Sequence, residues 1–399
     1  MSLSFGRDLY LTPGPSVMPD SVLAAMMRAA PSIYDGPIVD LTESIVTDLK
    51  TIAGTRHQLA MYIANGHGAW EAALENVFAP GEKALVVHTG NFAQSWANVA
   101  ERMGIEVSYL HFGTESAADA AVLAETLRAD ATHGIKAVFC TQTDTASSAS
   151  NDIPALRAAL DAAGHPALLM VDCVASFACE RFEMDAWGVD VMLTASQKGL
   201  MCPPGIAYVF YNEKAEARAR PKPDRAPYWD WTDRANPGLY YQYFFGTTPT
   251  HLLYAQREAL NLLLAEGMEN VFRRHEIFAQ AVWAAVEAWG TAGPLRLNVA
   301  NRAHRSRAVT AVRAKGVDCF ALQKWLRHKT GLTLGKPIGF DTPEFGNGAH
   351  AFRIGHMGHM NPPMLLGGLS SLQAGLIACG IAHGAGGVDA AVQVIAANA

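Results

Sequence analysis

The chain has 399 residues, half of them hydrophobic, with 31 basic against 37 acidic side chains and a formal net charge of −6. That length and composition describe a large globular protein with an ample core, built from about two domains. The mild acidity, with no basic cluster, argues against nucleic acid or a membrane surface as the main partner, and no apolar run approaches the ~20 residues that cross a bilayer.

At the N-terminus, MSLSFGRDLYLTPGPS has neither the apolar centre of a signal peptide nor the Arg/Ser bias of a transit peptide, and residues 1–14 read as an arm. Then come short apolar runs, each the length of a buried strand: ALVVHTG (84–90), EVSYLHF (106–112), AVFCTQT (137–143), ALLMVDC (167–173), VDVMLTA (189–195) and IAYVFYN (206–212). Ala-rich amphipathic stretches such as AQSWANVAERMG, AVLAETLRA and IPALRAALDAAG separate most of them. The alternation predicts a large α/β domain over 15–265, a mainly parallel sheet with helices on both faces. From about residue 251 the texture changes to two long helices, HLLYAQREALNLLLAEG and MENVFRRHEIFAQAVWAAVEAWG, followed by a strand-like AVTAVRA and a helix FALQKWLRHKTG. A smaller C-terminal α+β domain over 266–399 is therefore expected. Six cysteines, at 140, 173, 179, 202, 319 and 379, lie mostly in apolar segments and form no CxxC pair, so they read as reduced core residues of a cytoplasmic protein.

In a parallel sheet, ligands collect at the carboxyl ends of the strands. Asp172 ends ALLMVD, and Lys198 follows VDVMLTASQ. Most lysines are simply solvated. Lys198, however, has Met192, Leu193, Leu200 and Met201 around it, and a buried ammonium is costly unless its pKa falls or it is joined to something. Asp172 alone could be a satisfied turn aspartate, but its apolar approach favours a positioned anion with a nitrogen partner. In ANGHGAWEAALENVF (64–78), small residues lead through Gly66 and Gly68 into an amphipathic helix, where unblocked N–H groups make a phosphate site. The stretch matches neither a Walker loop nor a dinucleotide fingerprint. Phosphate cradle, anion and buried amine are together what pyridoxal phosphate chemistry requires: a lysine to join the cofactor, an acid at the pyridinium nitrogen and a phosphate anchor.

These residues carry a family resemblance. Through LTPGP (11–15), NGHGAWEAAL, VHTGNFAQ, VDCVASF, SQKGLMCPPG, TTPTHLLYAQREAL and FRIGHMG (352–358), the chain resembles the class V, fold-type I aminotransferases of the alanine–glyoxylate, serine–glyoxylate and serine–pyruvate group over nearly its whole length. SQKG…PPG paired with VD.VAS at this spacing is the specific part; RIG or PGP alone is weak. The resemblance implies a fold-type I architecture with a mainly parallel seven-stranded sheet, pyridoxal 5′-phosphate as cofactor, and a homodimer whose active site is shared between subunits.

Residue roles follow from the same resemblance. It implies that Lys198 holds the cofactor and, once freed, moves the substrate proton; that Asp172 pairs with the pyridinium nitrogen; and that Val174 and Phe92 cover the two ring faces, where many relatives have a larger aromatic than Phe92. Thr145 is implied at the phenolic oxygen. Asn65, Gly66, His67 and Gln197 are implied at the phosphate, with Thr247 reaching it from the partner subunit. Phe244 stands where many relatives have a tyrosine assisting that contact, which leaves the partner's share open. Arg353 matches the arginine that binds the substrate carboxylate through two parallel hydrogen bonds. Gly14, in the PGP loop, and Tyr34, in IYDGP (33–37), are expected at the pocket edge. Taken as bare residues, Phe92 also fits an ordinary core position and Thr145 a turn.

The activity implied is ping-pong transfer of an amino group from serine or alanine to glyoxylate or pyruvate. FRIGHMG with the Tyr-Asp pair also resembles pyridoxamine–pyruvate aminotransferase, and aspartate–glyoxylate or ureidoglycine–glyoxylate specificity stays open, as does a lyase. A desulfurase fits less well, because no cysteine lies in an evidently mobile polar loop. A silent scaffold on this fold is opposed by Lys198 and Asp172. No metal is expected: His356 and His359 in GHMGHM read as loop or core histidines. The aromatic groups YWDW (228–231) and YYQYFF (240–245) read as a subunit interface or pocket wall.

Overall fold

The computed structural model describes residues 2–219 and 225–398. A short strand, β1 (Leu9–Leu11), precedes helices α1 (Asp20–Ala25) and α2 (Pro37–Ile52). Strands and helices then alternate through β2 (Gln58–Tyr62), α3 (Gly66–Val77), β3 (Lys83–His88), α4 (Asn91–Arg102), β4 (Glu106–His111), α5 (Ala120–Ala129), β5 (Ile135–Thr141), α6 (Ile153–Ala162), β6 (Leu168–Asp172), β7 (Val191–Ala195) and β8 (Ala207–Tyr211). Helices start where a side-chain oxygen can take the first free N–H groups: Asn65 caps α3, Asp119 caps α5 and Asp152 caps α6.

The seven strands β2–β8 form one sheet in the order β2-β8-β7-β6-β5-β3-β4. It is parallel from β7 to β4, and β8 runs antiparallel to both its neighbours. Strands β6 and β7 are buried at every residue, as strands covered on both faces must be. Alternate side chains feed two cores: Leu169 and Val171 on one face, Leu168 and Met170 on the other. The six apolar runs become β3 to β8. β2 has no counterpart among them, because QLAMY contains no β-branched residue and only one aromatic.

Beyond α7 (Glu213–Ala219), α8 (Thr232–Ala235), α9 (Thr250–Glu266) and α10 (Met268–Gly290) come β9 (Leu295–Leu297), β10 (Val309–Ala314), α11 (Cys319–Thr330), β11 (Leu332–Leu334), β12 (Ala351–Gly355), α12 (Pro362–Ala378) and α13 (Gly387–Ala396). Strands β12, β10 and β9 make an antiparallel sheet over a third apolar cluster that includes Trp289, Leu326 and Phe352. The expected arm contains β1, which pairs parallel with β11 from Leu9–Leu332 to Leu11–Leu334 and so ties the N-terminal segment to this part.

Two expectations need correction. Five cysteines are buried, but Cys379 is exposed at the end of α12, where the apolar stretch has run out. Of the aromatic groups, Trp231 and Phe244 pack inside the chain's own cores; Tyr241 and Phe245 stay exposed. Tyr62 and Tyr228 instead flank the Arg234 guanidinium, 4.4 and 4.6 Å from their ring centres. His356 is a core histidine, its Nε2 3.0 Å from the Thr310 hydroxyl. Among the described residues, no helix is long and apolar enough to cross a membrane.

Candidate active site

The loop that follows β7 is closed on itself: the Ser196 hydroxyl donates to the Pro203 carbonyl (2.6 Å), and the Cys202 N–H to the Ser196 carbonyl (3.0 Å). Lys198 sits at its bend. The next residue must be glycine, since a Cβ on Gly199 would stand 2.2 Å from the Phe177 carbonyl oxygen. The N-terminal TPGPS segment lies against this loop. The Ser16 hydroxyl donates to the Lys198 carbonyl (2.6 Å), and the Lys198 ammonium to the Pro13 carbonyl.

Lys198 and Asp172 line one cavity of about 280 Å³, near the lower end for small-molecule sites. Also on its wall are Gly14, Val174 and Gln197, with Asn65, Gly66 and His67 from the start of α3, and Phe92 and Thr145 from the neighbouring elements. The structure thus brings ten of the expected residues together from six separate segments. Burial first, and the Arg353 guanidinium second, lower Lys198 from 10.5 to about 8. Asp172 is 4 % exposed. Its Oδ1 accepts the Val174 N–H (2.6 Å) and its Oδ2 the Trp70 indole N–H (2.9 Å). Burial nonetheless raises its carboxyl to about 6 against those two donors.

Arg353, on β12, is 4 % exposed and so is no ordinary surface arginine. Its Nε donates to the Lys336 carbonyl (2.6 Å) and its Nη1 to the Thr145 carbonyl (2.8 Å). No bond to Nη2 is formed among the described residues. Burial lowers Arg353 to about 10, and Asp144 works in the opposite direction. Arg353 stands behind the cavity wall at Thr145, not among its lining residues.

Two expected residues are elsewhere. Tyr34 is 86 % exposed, its N–H donates to the Ser32 hydroxyl, and it is not among the lining residues of the cavity. Thr247 is exposed and also apart from it. Phe244, lacking a hydroxyl, is buried within its own chain.

Two functional residues went unread in the sequence. Trp70 lines the cavity; its position four residues after Gly66, one helical turn along the same face, was the available signal. Asp144 is fully buried and accepts four backbone N–H groups: Phe92 (2.8 Å) and Ala93 (3.1 Å) on Oδ2, Ala146 (2.9 Å) and Ser147 (3.4 Å) on Oδ1. It thereby caps α4, places Phe92 and shapes the Thr145 loop. No motif marks it, because an aspartate in a polar loop is commonplace.

The residues present fit pyridoxal 5′-phosphate. An amine bonded to a backbone carbonyl, a carboxylate with lone pairs left over on both oxygens, and a buried Gln197 Oε1 with no partner among the described residues converge on the cavity. At the helix start, the Asn65 side chain takes the His67 and Gly68 N–H groups, and the Gly66 N–H forms no bond among the described residues.

A family model for aminotransferase class-V matches residues 38–336. The chain belongs to the class-V aminotransferases. Serine–glyoxylate aminotransferase of Methylorubrum extorquens is 36 % identical over 98 % of this chain and 97 % of that one. Two solved structures superpose with a TM-score of 0.88: ureidoglycine–glyoxylate aminotransferase from Bacillus subtilis, 25 % identical, covering 99 % of this chain and 100 % of its own, and pyridoxamine–pyruvate aminotransferase from Mesorhizobium loti, 26 % identical, covering 100 % of both. This class-V aminotransferase is therefore a transaminase of fold-type I, and its cofactor is pyridoxal 5′-phosphate.

Proposed function

We propose that this class-V aminotransferase moves an amino group from a small amino acid, serine or alanine, to a small 2-oxo acid, glyoxylate or pyruvate, in two half-reactions. The observation that carries the reading is a single cavity lined by both the Lys198 amine and the Asp172 carboxylate at the carboxyl edge of a parallel sheet. Likeness to serine–glyoxylate aminotransferase over the whole chain supports the substrate choice.

When bound, the cofactor supplies a conjugated ring that accepts the electron pair left as the substrate Cα loses its proton. Lys198, as a free amine, would accept that proton at its Nζ and give it back. Asp172 would hold the ring nitrogen and its proton, Phe92 and Val174 would flank the ring, and Thr145 would meet its phenolic oxygen. Asn65, Gly66, His67 and Gln197 hold the phosphate. Arg353, held behind the wall at Thr145 by two backbone carbonyls, would meet the substrate carboxylate with its Nη2 and second Nη1 hydrogen once the side chains at that wall give way, which would fix the Cα–H bond for proton loss. Gly14 leaves room beside the amine.

Thr247 and Tyr34 complete the site of a second copy in a cytoplasmic homodimer. Their exposure, with that of Met27, Leu239, Tyr241 and Phe245, supports such a face.

The test follows the cofactor's yellow band in each half-reaction, across a panel of amino acids and then oxo acids. Serine or alanine should bleach it and glyoxylate or pyruvate restore it, while Lys198→Ala should bind cofactor and do neither. Deamination of pyridoxamine alone refutes the substrate reading, and normal turnover by Lys198→Ala removes the lysine from the mechanism.

A further inference from the structure

Helix α3 contributes to the cavity twice. Its N-cap and first residues, Asn65 to His67, line the cavity at the proposed phosphate contacts, and Trp70 lines it one turn further on. Trp70 is 2 % exposed. Its ring is held by neighbours: Trp96 lies nearly parallel to it, 6.2 Å away at 13°, Phe139 stacks on Trp96 at 4.7 Å, and the His67 imidazole approaches to 4.4 Å. So fixed, its Nε1–H donates to Asp172 Oδ2 at 2.9 Å, while the Val174 N–H takes Oδ1. Of the two donors, the indole alone comes from a different element, 102 residues away in sequence.

We propose that Trp70 is a positioning residue for the transamination: its Nε1–H orients the Asp172 carboxylate and keeps it anionic, ready to hold a protonated aromatic nitrogen. This inference deepens the proposed function and rests on it. A buried carboxylate that loses a donor is pushed towards its neutral form, and it is also free to turn about its last torsion. A neutral acid cannot keep the proton on a ring nitrogen. Because Trp70 and the phosphate-side residues share one helix, α3 also sets the spacing between the two ends of the cofactor's seat.

The groups that face Asp172 are Asp144 from the loop after β5, Lys198 from the loop after β7, and the thiols of Cys140 and Cys173. His67, at the start of α3, lies against Trp70, the indole partner of Asp172, its ring 4.4 Å from the Trp70 ring and tilted by 54°. Burial and Asp144 favour the neutral acid; the Val174 and Trp70 N–H groups and Lys198 favour the anion.

Trp70→Phe removes the donor and keeps a ring in the stack. Trp96→Phe is its control: Trp96 Nε1 has no partner among the described residues, so that change alters the same packing without touching Asp172. Both proteins are loaded with pyridoxal phosphate and acidified. The pH at which half of the cofactor is lost should rise by about one unit in Trp70→Phe, the size of one hydrogen bond to a charged group. Its kcat should fall roughly tenfold with little change in KM for the amino donor, as expected when a transition-state interaction is lost. Trp96→Phe should stay close to the wild type in both.

Trp70→Phe with wild-type acid release and turnover, or equal losses in Trp96→Phe, overturns the inference. Should Trp70→Phe fail to fold, the indole ¹⁵N–H signals of the full wild-type chain decide. One must move on cofactor binding and titrate with a carboxyl near pH 6 without cofactor; no responding signal refutes the role. A wild-type chain that takes up no pyridoxal phosphate would instead refute the proposed function.

Discussion

The basicity of Lys198 gives the sharpest prediction. Burial and the Arg353 charge bring its amine from 10.5 to about 8. At pH 7 an amine of pKa 8 is neutral in about a tenth of molecules and one of 10.5 in about three per ten thousand, so the pocket enriches the nucleophilic form about 300-fold. Arg353→Met removes the second cause and leaves the first. The midpoint should therefore move up from 8 but stop short of 10.5, and each unit gained should slow reaction at pH 7 about tenfold. The assay labels cofactor-free protein with an amine reagent from pH 6 to 11, following the Lys198 peptide by mass spectrometry. The sign is definite: labelling rises with pH through the midpoint, earlier in the wild type. A wild-type midpoint near 10.5, or the same midpoint in Arg353→Met, would refute the electrostatic account.

Gly14→Ala should abolish more than nine-tenths of turnover while circular dichroism stays unchanged: Gly14 has φ +108°, and a Cβ there would stand 2.4 Å from the Lys198 amine. Full activity would mean that the PGP loop moves aside in the working enzyme. Asp144→Ala leaves four buried N–H groups without their acceptor and should cost about 3 kcal/mol or more of stability in urea unfolding. An unchanged midpoint would show that water replaces the carboxylate.

Much of the fold was legible in the chain. Runs such as ALLMVDC and VDVMLTA, buried at every strand position, announce strands covered on both faces, and the caps Asn65, Asp119 and Asp152 mark where helices begin. β2 was not legible, because its pairing with β8 rather than its composition makes it a strand. In the site, Lys198 and Asp172 stood out because a polar residue at the end of an apolar run has few structural uses. Tyr34 does not line the cavity of its own chain: what a turn residue faces depends on which surface lies opposite it.

By itself, then, the sequence determined the local facts: strand and helix periods, helix starts, a lysine and an aspartate at strand ends, and a glycine-led helix. Tertiary structure alone decided the chemistry among them. Lys198 loses basicity first through burial and then through Arg353 on a distant strand, Asp172 accepts the Trp70 N–H from α3, and Phe92 is placed by Asp144 across 52 positions of chain. Periodicity is written in neighbouring residues, whereas burial and electrostatic coupling act through space, between groups that only the folded chain brings within a few ångströms of one another.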